Sequence, residues 1–169
     1  MHTKSARAAA ALAFELAAPI LHADAQTRVD FNTRCELIEA DSCQWGNLDG
    51  RKLDAKTLSD SNYKAVHLRD ASLRGAVLQR INLQTADVAR SDFTGADLHS
   101  ASLFASNAER AKFVDADLRG ANFTRANLSG ADLRGAKIDN LTLFISTRLG
   151  GAVWLDGRVC APGSIGKCD

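Results

Sequence analysis

The sequence carries almost no net charge: Lys+Arg 21 stand against Asp+Glu 20, for a formal +1 at pH 7. That balance excludes the strongly basic surface of a nucleic-acid binder. Long apolar runs are missing too, and none approaches the roughly 18 residues of a membrane span. Aromatic residues make up only 6% of a chain that is 46% hydrophobic, so the apolar content is mostly aliphatic. Catalytic signatures are absent: there is no G-x-S-x-G, H-E-x-x-H, G-x-G-x-x-G or P-loop. A disordered chain is equally excluded. At 169 residues and 24% charged, the sequence suits one domain with a real core.

What is present is a repeat of five. Large apolar residues recur at Leu48, Leu53, Leu58, Tyr63, Leu68, Leu73, Leu78, Leu83, Val88, Phe93, Leu98 and Leu103. They continue at Phe113, Leu118, Phe123, Leu128, Leu133 and Ile138, with Ala108 the one small residue in the series. Two residues before each slot runs a second series of alanines. Between 71 and 136 only Ile81, Ser91 and Ser106 interrupt it.

Period five decides the fold class. On an α-helix, five residues advance about 500°, so successive leucines scatter around the axis. On a straight strand, five is odd, and each leucine faces opposite to the last. Neither element buries this pattern, so the chain must turn after every unit. Four near-right-angle turns close a square of about twenty residues, and squares stacked ~4.8 Å apart form a solenoid with the leucines inside. The alanine slot falls near a corner, where an inward side chain has little room. The predicted fold is all-β, a parallel solenoid of about five coils.

Four slots per coil predict four inward stacks: Leu48/Leu68/Val88/Ala108/Leu128, Leu53/Leu73/Phe93/Phe113/Leu133, Leu58/Leu78/Leu98/Leu118/Ile138 and Tyr63/Leu83/Leu103/Phe123. Ala108 leaves a deficit in its stack, and Phe93 and Phe113 from the adjacent stack are expected to lean toward it. Tyr63 is expected near the open first coil, where water reaches its hydroxyl.

The units Ala-Asp-Leu-Arg-Gly (116–120 and 131–135), Ala-Asn-Phe-Thr-Arg (121–125) and Ala-Asn-Leu-Ser-Gly (126–130) resemble the A(D/N)LXX units of pentapeptide-repeat proteins. The resemblance covers about residues 46–140 and implies a right-handed quadrilateral β-helix. It says little about function.

The ends depart from the repeat. Residues 1–25 carry Lys4 and Arg7, an apolar stretch over 8–21 split by Glu15, and the ending Ala23-Asp24-Ala25. This is the pattern of a secretory signal, with a mature start near Gln26; the alternative is an amphipathic helix packed on the first turn of the domain. Residues 26–45 read as an N-terminal cap, 46–145 as the solenoid and 146–169 as a C-terminal cap. Ile138 is followed by Phe144, Leu149, Trp154 and Val159, which places one inserted residue within 139–143. The ending W-x-D-G-R-x-C…G-S-I-G-x-C, from Trp154 to Cys168, is similar to that of exported bacterial members of the family.

Four cysteines allow three pairings. The repeat block spans roughly 22 Å of axis, whereas bridged Cα atoms lie within about 7 Å. The expected disulfides are therefore Cys35–Cys43 and Cys160–Cys168, one at each end, which agrees with an oxidising periplasmic or secreted location. Metal binding is the rival, but seven residues between cysteines do not suit a zinc knuckle, and His67 and His99 fall on different sides of the square. No metal, cofactor or catalytic residue is assigned.

Outward positions hold Arg69, Arg74, Arg80, Arg90, Arg110, Arg119, Arg125 and Arg134, with aspartates between them. Asp87, Asp92, Asp97, Asp117 and Asp132 occupy the outward slot before the leucine, where the family habitually places Asp or Asn, and are expected to be solvated or bonded to the turn. The few outward apolar residues are Val77, Phe104 and Val114, with Phe144, Ile145 and Leu149 near the slip. The C-terminal group is either the cap's own packing or an end-to-end homodimer contact. These features point to a non-enzymatic, exported protein offering a rigid surface to an unidentified protein or envelope partner, with the arginine rows and Phe104 as contacts. The alternative is a cytosolic DNA mimic that regulates topoisomerases, which needs a strongly acidic shaft and no cleaved leader.

Overall fold

The structure, a computed structural model, describes residues 42–169. The expected leader at 1–25, nearly all of the expected cap at 26–45, and Cys35 lie outside the described residues. From Ser42 onward, the residue before each inward slot pairs in parallel with its counterpart one coil later. Four faces result. Face 1 is the column Ser42, Asn62, Asn82, Ser102, Asn122 and Leu143; face 2 is Asn47, His67, Asp87, Asn107, Asn127 and Arg148. Face 3 is Lys52, Ser72, Asp92, Lys112, Asp132 and Val153, and face 4 is Thr57, Val77, Asp97, Asp117 and Lys137.

Each corner solves a backbone accounting problem. Within the unit around Leu48, Leu48 N–H and Gly50 N–H donate to the next coil, at His67 O and Arg69 O. Arg51 N–H closes a turn onto Leu48 O, and the following unit repeats the scheme. The second turn residue sits at positive φ, as a type II turn requires, whether it is Gly50 (φ 66), Arg90 (φ 59) or Asp115 (φ 56). One donor per unit is left over, the N–H of the residue after the leucine. The Asp or Asn before the leucine takes it: Thr94 N–H bonds Asp92 Oδ1 at 3.0 Å, and Thr124 N–H bonds Asn122 Oδ1 at 2.9 Å. Where His67 and Ser72 replace that acid or amide, the preceding coil supplies the acceptor. Arg69 N–H bonds Asp49 Oδ1 and Arg74 N–H bonds Asp54 Oδ1. The Asp or Asn before the leucine thus supplies the acceptor for a backbone donor that the ladder leaves over.

The inward slots form the core. The predicted leucines and phenylalanines are buried to 2% exposure or less, save Ile138, which is half-buried in the last coil. The alanine series lines the corners, and its polar members bond carbonyl oxygens. Ser91 Oγ donates to Leu68 O, and Ser106 Oγ to Leu103 O at 2.8 Å. Tyr63 differs from expectation: it is 1% exposed, because Cys43 occupies the inward slot above it and closes that stack. Within the described residues the ladder already includes Ser42, ahead of the expected boundary at 46.

In the coils around Ala108 the phenylalanine rings pack on one another. Phe93 and Phe113 stack face to face at 5.1 Å, but the ring that meets Phe113 edge-on, at 5.7 Å, is Phe123. Phe123 lies behind face 1 and Phe113 behind face 3, so the two rings meet across the tube. The coil with the smallest residue is the one with two phenylalanines, which keeps its volume near that of an all-leucine coil. Ala108→Leu is expected to cost about 1–3 kcal/mol by overpacking, and adding Phe123→Leu should recover part of it. Urea unfolding of both variants checks this.

At the slip, the inserted residue changes the coil length: Asp117 pairs with Lys137, but Asn122 pairs with Leu143 and Asn127 with Arg148. Asp139 and Thr142 hold the enlarged corner. Asp139 Oδ1 accepts from the N–H groups of Gly120, Leu141 and Thr142, and Thr142 Oγ1 donates to Leu118 O. Parallel pairing continues to Val153, past the expected boundary at 145. Leu149 is fully buried, not outward, and Phe144 is half-buried against the core. The fivefold slots end at Trp154, and Val159 is 65% exposed. There the chain doubles back, pairing Val159 with Val153 and Ile165 with Arg148 antiparallel, and the Cys160–Cys168 disulfide joins the tail to itself with Cα atoms 4.8 Å apart. Cys43 is also disulfide-bonded, while its expected partner Cys35 is outside the described residues.

Candidate functional site

The outward arginines are engaged by their neighbours. Arg80 and Arg90 make two-pronged bonds with Asp60 and Asp70 one coil earlier, with both pairs at 2.6 Å, and Arg119 and Arg134 do the same with Asp117 and Asp132 in their own units. Arg69 reaches Asp87 at 3.0 Å, Arg74 reaches Asp92 at 3.3 Å, and Arg110 stands 3.8 Å from Glu109. The Arg125 guanidinium lies over the Phe104 ring, 5.8 Å from its centre. Apart from Arg125, which lies over a ring rather than beside an acid, the arginine rows are thus neutralised along the shaft. Such exposed pairs add little stability each, but they remove the rows as a free cationic surface.

Hydrogen bonds from Arg119 and Arg134 hold the carboxyls of Asp117 and Asp132 below their usual value near 3.8, against a smaller opposing effect of burial. A depressed carboxylate contributes stability above its unfolded value that is lost as pH falls through its folded value. The urea midpoint is expected to be level from about pH 7 to 5 and to fall below about pH 4. Asp117→Asn with Asp132→Asn should flatten that fall.

His67 and His99 lie on faces 2 and 4, across the tube from one another, and His99 Nδ1 bonds Ser100 Oγ at 3.1 Å. No group of His, Cys, Asp or Glu among the described residues could hold a metal ion. No helix among them is long and apolar enough to cross a membrane.

The family described as pentapeptide repeats matches in eight copies, over residues 67–103 and 101–140. A solved pentapeptide repeat protein, Rfr23 from the cyanobacterium Cyanothece 51142, superposes with a TM-score of 0.51 at 27% identity, covering 60% of this chain and 89% of that one. Residues 67–140 are pentapeptide repeats. The chain's square tube is the right-handed quadrilateral β-helix of that family. Other solved structures it matches include HetL, a pentapeptide repeat protein involved in heterocyst differentiation regulation from Nostoc, at 20% identity and TM-score 0.28 over 72% of this chain and 88% of that one. A search of curated proteins finds no match.

The faces of this pentapeptide-repeat solenoid differ in charge. Faces 2, 3 and 4 each carry acidic as well as basic residues. Face 1, with its corners, comprises 42–45, 62–65, 82–85, 102–105, 122–125 and 143–146. It holds no Asp or Glu, and its charges are Lys64 and Arg125. Trp45 is 74% exposed at one end of this face, and Ile145 is 60% exposed at the other. The sequence reading missed this asymmetry. Comparing residues twenty apart would have found it.

Proposed function

We propose that the chain is a non-enzymatic, exported protein whose β-solenoid presents a rigid four-sided surface to an envelope or protein partner. The observation that carries this reading is the closure of the structure on itself. Corner donors are taken by Asp and Asn, the arginines named above by neighbouring acids or a ring, and the tail by a disulfide. Outward side chains so held lose little freedom when a ligand binds. The disulfides suit an oxidising compartment, the periplasm or outside the cell, in keeping with the leader-like pattern of residues 1–25. The exposed Leu141, Leu143 and Ile145 at the C-terminal coil offer a contact for a second copy, giving an end-to-end homodimer.

Mass spectrometry of the protein made in its native host, without reductant, tests export. The reading expects a mature start near Gln26 and the mass of a chain with its cysteines oxidised. An intact Met1 with reduced thiols would overturn it.

A further inference from the structure

Face 1 is an array of hydrogen-bond donors with no carboxylate to satisfy them. The Oδ1 atoms of Asn62, Asn82 and Asn122 accept the backbone N–H groups of Lys64, Gln84 and Thr124, at 3.3, 3.1 and 2.9 Å. That bond fixes which end of each amide is which, so the Nδ2 donors are oriented away from the corner. They have no acceptor among the described residues. Face 2 shows the contrast: Asn107 Nδ2 donates to Asp87 Oδ1 and Asn127 Nδ2 to Asn107 Oδ1, so its ladder closes on an aspartate. Face 1 has no aspartate to end its ladder.

The remaining groups on this face have the same bias. Lys64 and Arg125 add cationic donors, and Gln84 adds another amide. Phe104, half-buried and backed by the Arg125 guanidinium, and the exposed Trp45 supply ring faces. Between them lie the short side chains Ala65, Thr85 and Ala105, so this stretch of the face lacks the packed apolar centre of a protein–protein interface. Its rows recur at the coil spacing of ~4.8 Å. A ligand matched to it is extended, rich in acceptors, negatively charged and able to lay a flat apolar surface on an aromatic ring.

We propose that face 1 binds an acidic polysaccharide, a carboxylate-bearing glycan strand lying along the solenoid axis. Its carboxylates and hydroxyl oxygens meet the asparagine, glutamine, lysine and arginine donors, and its sugar rings rest on Phe104 and Trp45. Charge complementarity favours this ligand over a neutral glycan. The proposal rests on the envelope-partner reading and narrows it to one ligand class.

Affinity electrophoresis of the full chain in native gels containing alginate, with neutral dextran, poly-glutamate and duplex DNA in parallel gels, tests it. Retardation is expected in alginate alone. Asn82→Asp keeps the corner acceptor, and with Lys64→Glu it should weaken alginate binding by about tenfold or more. Lys52→Glu, an exposed charge reversal on face 3, should leave binding unchanged. Absence of retardation in alginate, an equal loss in Lys52→Glu, or equal retardation by poly-glutamate or DNA would overturn the proposal. Export is read separately, by the mature N-terminus, so failure of one does not imply failure of the other.

Discussion

Phe123→Ala is expected to cost the fold about 3–5 kcal/mol, the upper range for a large-to-small core change. The ring joins both directions of packing. It meets Phe113 across the tube at 5.7 Å and stacks on Phe144 at 5.4 Å, and Phe144 in turn meets Trp154 at 5.3 Å. Removing it opens a void in the coil that already holds Ala108, where no large neighbour can refill the space. Because each coil of a solenoid contacts only its neighbours, the coils from Phe123 to Trp154 should unfold first. Urea titration followed by Trp154 fluorescence should therefore shift further than the far-ultraviolet circular dichroism of the whole chain. Phe123→Leu, which keeps most of the volume, should cost less than about 1.5 kcal/mol.

Asp139→Ala is the second large effect, about 2–3 kcal/mol. The enlarged corner closes one turn, Thr142 N–H onto Asp139 O, and a single carboxylate oxygen also gathers the N–H groups of Gly120, Leu141 and Thr142. Those bonds, that from Gly120 first, also hold the Asp139 carboxyl below its usual value. Alanine leaves these donors without their acceptor where the chain is already irregular. Asp139→Asn keeps an acceptor oxygen and should retain most of the stability. Urea unfolding at pH 7 separates the two variants. An alanine variant as stable as its parent would show that the corner is held by packing alone.

The coil and its inward stacks were legible because period five has no other way to bury Leu73, Leu78 and Leu98. The inserted residue was legible for the same reason, as a break in phase before Phe144. What lay beyond the pattern was set by contacts one coil away. Arg80 finds Asp60 and Arg90 finds Asp70, a relation hidden when charges are read along the chain instead of down a face. That Asp92 and Asp117 bond at the turn was legible as one of two readings, but which N–H they accept depends on the one the ladder leaves over. Cys43 read as part of a cap because its sulfur suggested a disulfide, yet it also stands in a leucine slot. Val159 kept the fivefold spacing by coincidence, past the point where the chain reverses.

An aspartate scan through residues 96–105 tests the square tube most directly. Ala96, Leu98, Ala101 and Leu103 are buried to 1% exposure or less, so aspartate there strands a charge in the core and should cost at least about 4 kcal/mol. Apart from the Ser100 corner and the half-buried Phe104 and Ala105, outward positions such as His99 and Ser102 should tolerate it within about 0.5 kcal/mol. Plotted against residue number, the urea midpoints should fall at two positions in each five and repeat at the same two in the next five. A repeat of about 3.6 residues, or simple alternation, would contradict the fold.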